Sequence, residues 1–156
     1  MSLRLAELPE PNRGIPWRQL EPGWTYRTSA RTITETDLVQ FAGAAGFFEP
    51  LFLDARHGKP DGTPGRVVPA MLTLSYAEGL VLQTRVLLGT GLAFLKLETM
   101  EVRAPVCVGD TIVVRVEVSN VKPTSDGVRA LVTTRNAVID QDERVVLEYS
   151  PVRLQR

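Results

Sequence analysis

One cysteine and one histidine are all that these 156 residues contain of either type. Cys107 alone cannot close an internal disulfide, which favours a reduced, cytoplasmic setting. It reads as a small buried hydrophobe on a strand. With one imidazole and one thiol the chain lacks the spaced ligands of a metal site. Net charge is also missing: eighteen basic and eighteen acidic residues cancel. No basic run with interleaved aromatics stands out, so nucleic acid is not an expected partner. The longest uncharged apolar stretch, Val67 to Ala77, has eleven residues, against the ~20 a membrane-spanning helix needs. The N-terminus has no apolar signal segment, so neither secretion nor a membrane is expected. Neither a glycine-rich phosphate loop before a helix nor a Gly-x-Ser-x-Gly elbow is present, and no cofactor is expected.

What the chain does contain fits one domain, since ~150 residues suit a single hydrophobic core. Residues 1–23 hold Pro9, Pro11, Pro16 and Pro22 without a sustained period. They read as an arm, ordered in part by Trp17 and Leu20, ahead of a domain over 24–156. A first strand is expected from Trp24 to Thr32. In "TETDLVQFAGAAG" Thr34 is placed to cap a helix and Asp37 to return the bond, an acidic variant of the capping box. Leu38, Phe41, Ala42 and Ala45 form one apolar stripe, and Gly46 is a natural terminator. "KPDGTPG", Lys59 to Gly65, is a loop by its turn residues.

"RVVPAMLTLSYAEGLVLQTRVLL" follows. Pro69 suits a first helical turn, and apolar residues on nearly every face predict a helix enclosed by the protein. Gly79 inside it costs about 1 kcal/mol against alanine, which close packing would offset. The remainder is strand: Ala93 to Val102, then "DTIVVRVEVSNVK" with Ile112, Val114, Val116 and Val118 on one face, then two more. "TSDG" (Thr124 to Gly127) reads as a hairpin turn, and "DQDE" joins the last two strands. The expected class is α+β, an antiparallel sheet wrapped around one long buried helix.

Three motifs carry a resemblance. "ITETDLVQFAGAAG", "VVPAMLTLSYAEGL" and "APVCVGDTIVVRVEV" are similar, in order and spacing, to the first helix, central helix and Pro-Val-x-x-Gly-Asp turn of the MaoC-like (R)-enoyl-thioester hydratases and dehydratases. The resemblance implies a single hot-dog domain, a homodimer joined edge to edge, and an acyl-CoA or acyl-carrier-protein thioester as ligand. It also allows a catalytic hot-dog partner subunit. The family's catalytic segment, Asp-x-Asn-Pro-x-His-x-Asp, falls on "FFEPLFLD". Pro50 and Asp54 match, Phe47 stands at the aspartate, Glu49 at the asparagine and Phe52 at the histidine. The family's His-Gly pair becomes Pro69-Ala70, and Ser75 matches the helix serine. Phe47, Phe52, Ala70, Met71 and Ser75 are therefore the expected pocket residues.

Hydration of an enoyl thioester needs groups that hold water and move its proton, each contributing typically 10²–10⁴-fold. A phenyl ring does neither. The expectation is an acyl-thioester-binding member without the standard chemistry, its phenyl rings filling the space of the polar pair and its water. The alternatives recruit other residues. Glu49 or His57 would serve as base in a working hydratase. Glu78, on the central helix, would serve a thioesterase of the same fold. The bland readings are a solvent-facing Glu49, an exposed loop His57, a Glu78 paired with an arginine, and a Ser75 bonded to its own backbone.

Overall fold

The computed structural model describes residues 14–57, 62 and 65–156. Residues 1–13 of the expected arm, and most of the segment 59–65, lie outside the described residues. In chain order come β1 (Thr25–Arg27), β2 (Arg31–Thr32), α1 (Glu35–Ala45), α2 (Pro50–Leu53), α3 (Ala70–Gln83), β3 (Gly91–Val102), β4 (Thr111–Pro123), β5 (Ala130–Ile139) and β6 (Val145–Gln155). All strand pairs are antiparallel, in the order β1-β4-β5-β6-β3, and β2 pairs further along β4.

Alternation in β4 decides which face of the sheet is inner. Ile112, Val114, Val116 and Val118 are all at most 1% exposed, because successive side chains of a strand point to opposite faces. The first three meet Leu72, Ala77, Leu80 and Val81 of α3 in one core that also takes Leu147 and Tyr149 of β6. Each such large aliphatic or aromatic side chain contributes about 1.5–3 kcal/mol by burial.

α1 begins as its residues require. The Asp37 amide donates to the Thr34 hydroxyl, and the Thr34 amide donates back to the Asp37 carboxylate at 2.7 Å. Gly46 ends the helix in the left-handed region, at φ 74°, where a side chain would be strained. Leu38 and Ala42 are buried and Phe41 half-buried, while Ala45 is exposed. The arm is docked by Leu20, Ile15, Trp17 and Trp24, which pack on Val118, Ala130 and Val132. At Gly14 a Cβ would come within 2.5 Å of the Val86 carbonyl, so this crossing admits only glycine.

The structure corrects several expectations. The strand over 24–32 is two strands with a bulge between them: Arg27 pairs with Arg115, but Arg31 with Ile112. The hydroxyl of Thr28 accepts from the Val114 amide there, replacing a ladder carbonyl. Residues after Gly46 form a one-turn helix, α2, which its proline start favours. α3 is not enclosed all round. Met71 is 42% and Leu82 60% exposed, with Ser75 exposed between them, because the sheet covers one side of the helix only. Gly79 is not held by close packing, since a Cβ there would meet nothing within 4 Å. Pro69 stands just before the helix as its N-cap. Cys107 is fully buried, in an isolated bridge to Val67 and not in a long strand.

α1 is fastened to α3 by one polar cluster. Tyr76 donates to Asp37 at 2.7 Å, Arg31 donates to the same oxygen at 2.9 Å, and the Arg31 guanidinium lies 3.8 Å from the centre of the Tyr76 ring. Burial pushes the Asp37 carboxyl up, but the Thr34 amide, the Tyr76 and Thr34 hydroxyls and Arg31 outweigh it and hold its pKa at about 2, below the ordinary 3.8. A depressed carboxylate stabilises the fold above its unfolded-state pKa and loses that stability as pH falls through the folded one. Asp37 accordingly contributes about 2 kcal/mol above pH ~4, lost between pH ~4 and ~2. Urea titrations across that range will show a drop in stability that is much reduced in Asp37→Asn.

Candidate active site

The nonapeptide from Gly46 to Asp54 places three aromatic rings in a row. Phe41 and Phe47 lie 5.2 Å apart between ring centres, and Phe47 and Phe52 lie 5.9 Å apart. These tilted contacts are favourable beyond their buried area. Arg66 ties the segment down, donating to the Leu53 carbonyl and pairing with Glu35 of α1. The next residues run beside the turn before β4: Val68 donates to the Val106 carbonyl at 2.7 Å, and Val108 to that of Arg66 at 3.0 Å. At that turn Gly109 takes φ 95° and Asp110 accepts from the Cys107 amide at 2.7 Å.

Between these pieces and the head of α3 lies a cavity of about 390 Å³. Phe52, Val67, Val68, Ala70 and Thr73 form one wall; Val102 to Val106 and Val146–Leu147 form the other. Arg103 is the sole charged residue among them. Its Nε donates to Glu148 at 2.7 Å and it also pairs with Glu101. Both carboxylates hold its charge in place. At the head of α3 the first-turn amides, Ala70 onward, have no carbonyl four residues earlier to bond. The site is thus an apolar chamber with one hydroxyl, one tethered cation and a helix N-terminus.

Of the residues singled out in the sequence, Phe52 and Ala70 line this cavity, and Phe47 backs Phe52 through its ring. Met71 and Ser75 face away on the exposed side of α3, where the Ser75 hydroxyl donates to the Met71 carbonyl at 2.7 Å. Glu49 is exposed. His57 is half-exposed with Nδ1 3.8 Å from Asp54, whose carboxylate Arg56 grips through two donors. Neither lines the cavity.

Glu78 is engaged elsewhere. The Arg153 guanidinium donates to both of its oxygens at 2.6 Å and the Tyr149 hydroxyl to one at 2.7 Å. Arg153 is 5% and Tyr149 1% exposed. Burial, and then the Glu78 carboxylate, push the Tyr149 phenol far above its ordinary pKa. It is a hydrogen-bond donor at every accessible pH. Among the described residues no cluster of three His, Cys, Asp or Glu side chains is placed to hold a metal ion, and no helix is long and apolar enough to cross a membrane.

The sequence pattern of the MaoC-like domain matches residues 18–141. The chain belongs to the MaoC-like domain family. Solved structures agree. A monoamine oxidase regulatory protein from Archaeoglobus fulgidus superposes with a TM-score of 0.82 at 28% identity, covering 92% of this chain and 95% of that one. An unliganded (R)-hydratase from Pseudomonas aeruginosa gives 0.67 at 26%, covering 90% and 84%. A Mycobacterium tuberculosis protein with a double hot-dog fold gives 0.79 at 21%, covering 91% of this chain and 44% of that chain. This MaoC-like chain is therefore a single hot-dog domain. No curated protein matches it.

Thr73, Arg103 and Leu147 of the cavity, and Tyr149 and Arg153 around Glu78, were not singled out by sequence. Only Arg153 left a signal there, a cation at an inward position of "VVLEYSPVRL". Removing one partner of a buried ion pair costs about 3–5 kcal/mol, and Glu78 is 20% exposed against 6% for Arg153. Arg153→Met will lower stability by about 3 kcal/mol in urea unfolding, and adding Glu78→Met will restore part of it.

Proposed function

We propose that this MaoC-like protein binds an acyl thioester, of CoA or of a carrier protein, with its acyl chain in the cavity at the head of α3, and does not itself add or remove water. The observation that carries this is the composition of the cavity wall: it contains no carboxylate and no imidazole. Phe47 and Phe52 take the positions of the family's aspartate and histidine. A hydrocarbon ring can neither deprotonate water nor return a proton to carbon, and losing two such groups removes several orders of magnitude in rate. The likeness to an (R)-hydratase at 26% identity supports the thioester as ligand. The amide of Ala70 is the group for a thioester carbonyl.

The protein acts as a dimer, with a second copy or with a catalytic hot-dog subunit. β3 is an edge strand of the sheet and exposes Leu92, Phe94 and Leu95, a combination that invites pairing with another edge. In a pairing with a catalytic subunit this chain supplies a dry acyl channel and its partner the proton chemistry.

Purified protein will bind butyryl-CoA yet leave the enoyl absorbance of crotonyl-CoA unchanged above background, while Phe47→Asp with Phe52→His will gain measurable hydration. Turnover by the unsubstituted protein that vanishes in Glu49→Gln or in a His57 variant would establish a hydratase with recruited residues. Thiol release lost in Glu78→Gln would establish a thioesterase. At the edge, Leu95→Lys will shift the protein toward monomer in sedimentation velocity; an unaltered dimer refutes pairing through β3.

A further inference from the structure

We infer that Tyr149, fastened by Glu78 and Arg153, is the end wall of the acyl cavity and sets the longest chain the protein accommodates. This rests on the acyl-thioester reading and adds a chain-length limit to it. The cavity is lined on α3 by Ala70 and Thr73 and on β6 by Val146 and Leu147. Continuing inward along β6, the next residue on the face of Leu147 is Tyr149, about 7 Å on. Continuing along α3, Glu78 lies five residues past Thr73, also about 7 Å on. The two elements thus bring phenol and carboxylate to the same depth, where they meet at 2.7 Å.

That layer is poorly suited to yield to a hydrocarbon chain. Tyr149 is 1% exposed and closes the space with its ring. Its hydroxyl is held by Glu78, which Arg153 holds in turn. Displacing the ring would strip a donor from a carboxylate that is largely out of water, and such unpaired groups are costly. Asn136, cross-strand from Tyr149 and 2% exposed, has both side-chain amide atoms without a partner. A methylene chain pushed past the ring would meet that amide and the ion pair, with no apolar surface in front of it.

The depth can be estimated. From Ala70 to Glu78 is eight residues, about 12 Å along the helix. A peptide unit spans three bonds in at most about 3.6 Å, so 12 Å holds about ten bonds of an extended chain. The limit is therefore at about ten acyl carbons.

Calorimetric titration of the full-length protein with saturated acyl-CoAs, from butyryl to palmitoyl, tests this. Affinity should rise about fourfold per methylene and level off near decanoyl. Tyr149→Ala, which leaves the Glu78–Arg153 pair intact, should move the plateau several carbons longer, and Tyr149→Phe, which keeps the ring, should leave it in place. If the alanine variant does not fold, Tyr149→Leu should shift the plateau the same way by less. A steady rise to palmitoyl in the unsubstituted protein overturns the wall, as does a plateau unmoved in folded Ala or Leu variants. Absence of binding at every length overturns instead the acyl-thioester reading on which it rests.

Discussion

The packing of α3 against the inner face of β4 and β6 is the constraint from which the rest follows. Leu72, Ala77, Leu80 and Val81 have nowhere to be buried except beneath that sheet, and Ile112, Val114 and Val116 have no other cover. Apolar burial has no direction of its own, so the two periods, 3.6 on the helix and 2 on the strands, give the contact its register. Once α3 is seated, its head faces the turn before β4 and its middle faces Tyr149 and Arg153. The cavity and the polar layer behind it are consequences of one helix being laid along one strand.

Polar groups in the interior are then few and committed. Glu78, Arg153 and Tyr149 form a closed set, as do Asp37, Tyr76 and Arg31. Buried ion pairs are weak sources of net stability, since desolvation offsets their attraction. Their effect is geometric. The first set seats the middle of α3 on β6, and the second fastens α1 to the helix from its other side. Between them the head of α3 is held where α2 can roof the cavity.

The chemistry of the site follows from what its walls lack. A chamber of valines, a leucine, an alanine and a phenylalanine attracts a hydrocarbon chain, and it offers a water molecule few bonds. The ionisable candidates are spatially separated from it: Glu49 and His57 face solvent and Glu78 is occupied. Phe52, packed on Phe47 and through it on Phe41, is a wall that side-chain motion alone does not convert into an acid or base. Function on this account is binding and positioning, with any proton transfer supplied from elsewhere.

Local pattern was enough for much of this. Thr34, Asp37 and Gly46 bracket α1 by interactions within a few residues, the alternation of β4 marks its buried face, and the motif order of the MaoC-like family is a linear property of the chain. The phenylalanines at 47 and 52 were equally legible, as residue types at positions in a motif. What linear reading missed depends on residues far apart in the chain. That Thr28 would bulge a strand, that one stripe of α3 would stay uncovered, that Glu78 would meet Arg153 seventy-five positions later, and that Thr73 and Leu147 would share a cavity are outcomes of how sheet and helix come together. Hydrogen bonds and caps between neighbours are written in spacing, whereas burial and cavities belong to surfaces that exist only after distant segments have packed, so the tertiary structure alone decided them.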